Sequence, residues 1–285
     1  MTTRVLGSMN DTHLTAPTRF IEANGVRYAY RRFGSEDGAP LVFLSHFRAG
    51  LDHWDPLVTD GLAGGRPVIL FNNAGIASSS GEPADTIDAS ADHVARFVRA
   101  LGLQAVDVLG FSIGGYVAQS VILRYPELVR RLVLVGTAPR NGELANDPRI
   151  PAVAANPVPT LEDFLFLFFT PSAASQAAGK AFWQRRHQRK DADPPSSPAA
   201  MKAQSTAIGE WRKPRGERYS ELRAISQPTL VANGNNDIMV PAINSFTLCQ
   251  HIPNAQLIIY PDSGHGALFQ YPDLFVAHTT IFLDS

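Results

Sequence analysis

Gly110-Phe111-Ser112-Ile113-Gly114 follows the run Val106-Asp107-Val108-Leu109 and precedes apolar residues at Ile113, Val117, Val121 and Ile122, with Pro126 beyond them. The run reads as a strand, and the spacing after it as one face of a helix that proline ends. A serine between them sits on a strained corner, with its hydroxyl pushed into the open. The flanking glycines suit a backbone that doubles back too tightly for side chains at 110 and 114.

The rest of the chain fits an α/β fold with a mostly parallel sheet and helices on both faces. Continuous apolar runs at 41–44, 68–71, 106–109, 132–135, 229–232 and 257–260 read as strands covered on both sides. Asn24-Gly25, between apolar-rich segments 20–23 and 26–31, predicts a hairpin and an antiparallel edge pair. Ile87, Ala91, Val94, Ala95, Val98 and Leu101 fall on one helical face. Alternating strands and helices of this kind imply a wrapped parallel sheet.

The alternation breaks over 139–222, where prolines, a phenylalanine-rich stretch at 164–169, Trp183 and Trp211 concentrate. This region is expected to be a helical cap inserted into a core made of 18–138 and 223–285, with 1–17 a loose tail.

The 285 residues are 45% hydrophobic and carry a formal charge of −1, which offers no broad field for nucleic acid. The basic run Arg185-Arg186-His187-Gln188-Arg189-Lys190 is followed by Asp191 and Asp193 and reads as a solvated helix end. Cys249 is the sole cysteine, so no intramolecular disulfide forms and a reducing, cytoplasmic setting is expected. The polar N-terminus lacks a signal-peptide core, and no apolar run is long enough to span a bilayer. No histidine pair at ligand spacing and no Cys-x-x-Cys suggests a metal. Nothing in the pattern specifies an oligomeric state.

A serine hydroxyl needs a base, and the base needs an acid that fixes its tautomer. His265 stands between Gly264 and Gly266, and Asp237 lies just after the run 229–232; Asp262, Glu143 and Asp147 are rival acids. Ile113, at a helix N-terminus, offers a backbone N–H to an anion.

Together these segments resemble the α/β-hydrolase family, in a branch with a cap, beyond about residue 20. Gly234 to Pro241 resembles that family's Gly-x-x-Asp-x-x-x-Pro, Gly264-His265 its terminal Gly-His, and Arg124-Tyr125-Pro126-Glu127-Leu128-Val129 the exit from the helix after its nucleophile. The order serine, acid, histidine then favours Asp237. Where the family has His-Gly-x, this chain reads Ser45-His46-Phe47-Arg48; the resemblance aligns Phe47 with the second oxyanion donor and puts His46 in place of glycine. Asn72 and Ala77 depart from the family's Asp-x-Arg-Gly-x-Gly-x-Ser in a turn.

The resemblance implies a cofactor-free enzyme with Ser112 as nucleophile, His265 as base, Asp237 as its orienting acid, and backbone N–H groups of Phe47 and Ile113 as oxyanion donors. A serine at the corner argues against dehalogenase or epoxide hydrolase chemistry, which uses aspartate there. Hydrolysis of an apolar ester or lactone is the expected reaction, with His46, Phe164, Phe168, Trp183 and Trp211 as candidate contacts to a small-molecule substrate. Cofactor-free haloperoxidase or perhydrolase activity, C–C bond hydrolysis, and a ligand receptor on the same fold are alternatives.

Overall fold

The computed structural model describes residues 11–285. The chain opens with β1 (Arg19–Ala23) and β2 (Val26–Gly34), then β3 (Leu41–Leu44), α1 (Pro56–Ala63), β4 (Pro67–Phe71), α2 (Ile87–Ala100), β5 (Val106–Phe111), α3 (Ile113–Arg124) and β6 (Val129–Val135). A helical segment follows, with α4 (Ile150–Ala154), α5 (Leu161–Phe168), α6 (Ala173–Arg186) and α7 (Pro198–Trp211). The sheet resumes with β7 (Thr229–Gly234), α8 (Ile243–His251) and β8 (Ala255–Tyr260), and the chain closes with α9 (Ala267–Gln270) and α10 (Pro272–Asp284).

Among the described residues these strands form one eight-stranded sheet in the order β1-β2-β4-β3-β5-β6-β7-β8. β1–β2 and β2–β4 pair antiparallel, and every other pair is parallel. The hairpin turn places Asn24 and Gly25 at φ 50° and 78°, the left-handed pair that a two-residue connection between twisted strands requires.

The central strands alternate side chains between two apolar layers. Val106 and Val108 of β5 join one cluster with α2, α3 and α8, whereas Leu109 and Phe111 join the other with α1, α9 and α10. This period of two explains why β5 reads as one continuous apolar run: both of its faces are buried. The expectation of burial on both faces fails for β8, an edge strand with Ile259 39% exposed. An edge strand has neighbours on one side only, so its outer residues reach solvent.

Helix ends follow from local chemistry. Asp55 caps α1 ahead of Pro56, Thr160 and Asp163 form a reciprocal capping box on α5, and Ser172 and Ser197 cap α6 and α7; each cap satisfies an N–H that a first turn leaves without a partner. No helix among the described residues is long and apolar enough to cross a membrane.

The loose tail expected over 1–17 falls partly outside the described residues, at 1–10. Residues 11–17, in contrast, are packed. His13 is buried, its N–H donates to Asp60 (2.6 Å) and its ring meets the Thr59 hydroxyl (3.0 Å). Arg189 of the inserted segment donates to the carbonyls of His13 (3.0 Å) and Ala16 (2.8 Å). The basic run is therefore a solvated helix end only in part: His187, Gln188 and Lys190 are exposed, whereas its three arginines find partners within the fold. Arg185 makes a two-pronged pair with buried Asp55 (3.0 and 2.6 Å), and Arg186 lies over the rings of Phe164, Phe182 and Trp183. Guanidinium groups tolerate such sites because a planar fork can stack on rings and satisfy several carbonyls at once.

Candidate active site

β5 ends at Phe111, and Ser112 takes φ 58° and ψ −121° before α3 begins. A non-glycine residue in that region is strained and persists only where its surroundings hold it. Here the Ser112 N–H donates to the Val135 carbonyl (2.9 Å), while the Ser112 carbonyl accepts from the Gly115 N–H (2.9 Å) and the Thr137 hydroxyl (2.8 Å). The backbone is thus fixed from three sides. The hydroxyl itself neither caps α3 nor bonds another described residue, and the side chain is half-buried.

The flanking glycines are there for space. A Cβ on Gly110 would lie 2.5 Å from the Gly114 carbonyl oxygen, and one on Gly114 would lie 2.0 Å from that of Leu44. The second contact shows that the loop leaving β3 runs directly against the first turn of α3. Thr137 carries no sequence signal of its own; it reaches Ser112 because it lies just beyond β6, which pairs with β5.

Asp237 and His265 come together from loops after β7 and β8. The loops are joined by Asn236 N–H donating to the Ser263 carbonyl (2.9 Å) and by Ser263 N–H meeting the Asn235 side-chain oxygen (3.3 Å). Both catalytic candidates have fully buried side chains, and His265 Nδ1 lies 2.7 Å from Asp237 Oδ2. The other carboxylate oxygen accepts the N–H groups of Met239 (2.8 Å) and Val240 (2.9 Å). A carboxylate oxygen only accepts, so in its contact with Asp237 Oδ2 the His265 Nδ1 is the donor. Nε2 then carries a lone pair, and it is buried without a hydrogen-bond partner among the described residues.

The rival acids are occupied elsewhere. Asp262 accepts the hydroxyls of Thr170 (2.8 Å) and Ser172 (2.6 Å), which hold its carboxyl below the usual range. Glu143 pairs with Arg218, and Asp147 with Arg149.

The loop at 45–49 carries the other donor candidates. Phe47 N–H has no partner among the described residues, and Ile113, the first residue of α3, has none within its own helix. His46 is buried, with Nδ1 3.1 Å from the Phe47 carbonyl and its ring centroid 5.3 Å from those of both Phe111 and Phe168. Burial, with the nearby charges of His53, Arg186 and His265, holds His46 well below the ordinary histidine pKa. Its Nε2 is another buried atom without a partner. The left-handed conformation in this turn falls on Arg48, at φ 62°.

The inserted segment contributes unequally. Phe168 packs edge-on against both His46 and His265, with its ring 5.2 Å from that of His265, and its carbonyl accepts the Gly266 N–H (2.7 Å). Phe164 stacks on Phe168 at 4.1 Å and reaches Trp183 at 5.5 Å. Trp211 stands apart, stacked on Tyr116 at 5.5 Å with Arg140 on its ring, where it joins α7 to the opposite apolar layer. A small cavity of about 50 Å³ adjoins the loop and α3, lined by Ser45, Asn73, Ile113, Gly114, Gln204 and Ala207 among others. No group of three or more His, Cys, Asp or Glu among the described residues is placed to hold a metal ion.

Comparison with known proteins agrees with this architecture. A family model described as alpha/beta hydrolase fold matches residues 39–272. A solved alpha/beta hydrolase fold protein from Chitinophaga pinensis is 40% identical with a TM-score of 0.89, covering 96% of this chain and 100% of that one. A pimeloyl-[acyl-carrier protein] methyl ester esterase of Nitrosomonas europaea is 30% identical over 180 residues, 60% of this chain and 68% of its own length. A 2-hydroxymuconate semialdehyde hydrolase of Pseudomonas sp. (strain CF600) is 28% identical over 274 residues, 93% of each chain. With its elbow serine, sheet order and matched length, the chain belongs to the α/β-hydrolase fold family.

Proposed function

We propose that this protein is a serine hydrolase that cleaves an apolar carboxylic ester or lactone through an acyl-enzyme on Ser112. The observation that carries the reading is the placement of His265: Nδ1 lies 2.7 Å from Asp237 Oδ2, and the buried Nε2 has no hydrogen-bond partner among the described residues. Such a group can take the proton of a serine whose backbone is fixed and whose hydroxyl is bonded to no other described residue.

In the first half-reaction Ser112 Oγ bonds to the carbonyl carbon while its proton passes to His265 Nε2. The oxygen gains negative charge and is met by the N–H groups of Phe47 and Ile113, which have no other partner to give up. The carbon–oxygen bond to the alcohol breaks, His265 returns the proton to the departing oxygen, and the acyl group remains on Ser112. Water then attacks that ester, with His265 again taking and returning a proton, and the acid leaves. Asp237 orients the imidazole and offsets its transient positive charge.

Segment 139–222 serves as a cap in this reading, with Phe164 and Phe168 forming an apolar wall beside His46 and His265 and Trp183 behind them. Trp211 contributes to seating the cap rather than to substrate contact. The likeness to the 2-hydroxymuconate semialdehyde hydrolase over 93% of both chains supports a second reading, in which the same groups hydrolyse a C–C bond beside a ketone.

Nitrophenyl esters of graded acyl length, with lactones of matching size, test the primary reading. Turnover should rise with apolar length and vanish in Ser112→Ala. Flat activity across the series, or a preference for charged acyl groups, would overturn the substrate class.

A further inference from the structure

We propose that Arg48 and Gln204 are positioning residues that make the oxyanion donor at Phe47 depend on the seating of the inserted helices, an inference that rests on Phe47 acting as that donor. The turn after β3 is held at few points. Ala49 N–H donates to the His46 carbonyl (3.0 Å), and Arg48 adopts a left-handed φ that a side-chain-bearing residue does not keep without support.

The support comes from outside the core. The peptide plane joining Phe47 to Arg48 is pinned at both edges: its carbonyl meets His46 Nδ1 (3.1 Å), and its N–H donates to the Gln204 side-chain oxygen on α7 (2.8 Å). Beside that plane, the preceding N–H of Phe47 has no partner among the described residues. It belongs to the adjoining His46–Phe47 peptide, so movement of the pinned plane is passed to it through the backbone of Phe47.

Arg48 anchors the same turn to a second inserted helix. Its guanidinium donates to the carbonyls of Asn156 (2.6 Å), Pro157 (2.8 Å) and Ala154 (3.4 Å) at the end of α4. Those carbonyls lie where a helix runs out of N–H partners, so the contact caps α4 and holds the loop together. Two separate elements of segment 139–222 thereby grip residue 48, next in sequence to the donor. Gln204 also lines the small cavity shared with Ser45, Ile113 and Gly114.

Full-length Gln204→Leu, which removes the acceptor, and Gln204→Glu, which retains an acceptor oxygen, are compared with wild type. Turnover of a nitrophenyl ester and the rate of Ser112 modification by a fluorophosphonate are both measured. Gln204→Leu should lower kcat roughly tenfold or more, as expected for disturbing one oxyanion donor, with KM nearly unchanged. The modification rate should fall by a similar factor, the midpoint of the pH–rate profile should stay put, and Gln204→Glu should recover most of the activity. Arg48→Met should act in the same direction.

A Gln204→Leu protein that keeps kcat within twofold of wild type refutes the proposal. So does one that loses kcat without rescue by glutamate while its melting temperature falls in both variants, since that pattern marks a merely structural contact. Wild type that neither turns over the ester nor is modified at Ser112 overturns the underlying reading as well, so the two failures are told apart.

Discussion

Replacing Asp237 by asparagine keeps the volume of the side chain and changes what faces His265. One carboxylate oxygen accepts the N–H groups of Met239 and Val240, so the amide oxygen must stay on that side. The amide nitrogen is then turned toward His265 Nδ1, at the 2.7 Å contact. Two N–H donors cannot share that contact. The imidazole escapes by moving its proton to Nε2, which can no longer accept the proton of Ser112. Wrong-tautomer substitutions of this type lower kcat by about 10⁴, equivalent to about 5 kcal/mol at 1.36 kcal/mol per tenfold.

Stability should instead follow how many hydrogen-bond donors each substitution strands. Asp237→Asn keeps the two backbone bonds and weakens one buried contact, at a cost of about 1 kcal/mol. Asp237→Ala strands three buried N–H donors, from Met239, Val240 and His265; at about 1–3 kcal/mol for each unmet group, the loss is at least ~3 kcal/mol. Ester turnover and urea unfolding of both variants measure the two effects. Asp237→Asn with kcat within tenfold of wild type, or Asp237→Ala no less stable than Asp237→Asn, would refute the reasoning.

Two further outcomes follow from the structure. Ser112→Gly removes a strained φ of 58° without removing any side-chain hydrogen bond, so the inactive variant should be more stable than wild type by about 1 kcal/mol, seen as a higher melting temperature; a lower one contradicts it. Burial holds His13 at about 4, His53 at about 3 and His46 well below 6.5. These groups stay neutral in the fold but take up protons near pH 6.5 once unfolded. Their stabilising contribution is therefore complete above ~7, and it is lost as pH falls through the interval toward those lowered values. Urea midpoints at stepped pH should decline into acid, and His53→Asn should lessen the decline by about one proton; equal stability at pH 7 and 5 would contradict this.

The parts of the fold legible in the sequence are those written in local spacing. The elbow shows because Gly110, Ser112 and Gly114 answer a steric demand within five residues, and the hairpin shows because Asn24-Gly25 alone meets its turn. Segments 41–44, 106–109 and 229–232 read as strands because burial on both faces leaves continuous apolar runs. Gly234 and Gly264 marked the loops that bring Asp237 to His265, since a Cβ on Gly234 would lie 2.3 Å from the Gly264 carbonyl oxygen.

What escaped depends on partners distant in sequence. Arg185 and Arg189 look like surface charges until Asp55 and the carbonyls of His13 and Ala16 are placed beside them. Trp183 and Trp211 look alike in the chain, yet one joins the phenylalanine cluster and the other stacks on Tyr116 of α3. Gln204 carries no motif at all; its contact with Arg48 spans 156 positions. Charge and aromaticity announce that a residue will find a partner, and only topology decides which.

Reaction of the intact protein with a fluorophosphonate, followed by peptide mass spectrometry, addresses the nucleophile most directly. One adduct per chain should appear on the peptide holding Gly110 to Gly114, localised to Ser112, absent from Ser112→Ala and formed far more slowly in Asp237→Asn. An unmodified Ser112, or an adduct carried on another serine such as Ser45, would contradict the assignment of Ser112 as the attacking group.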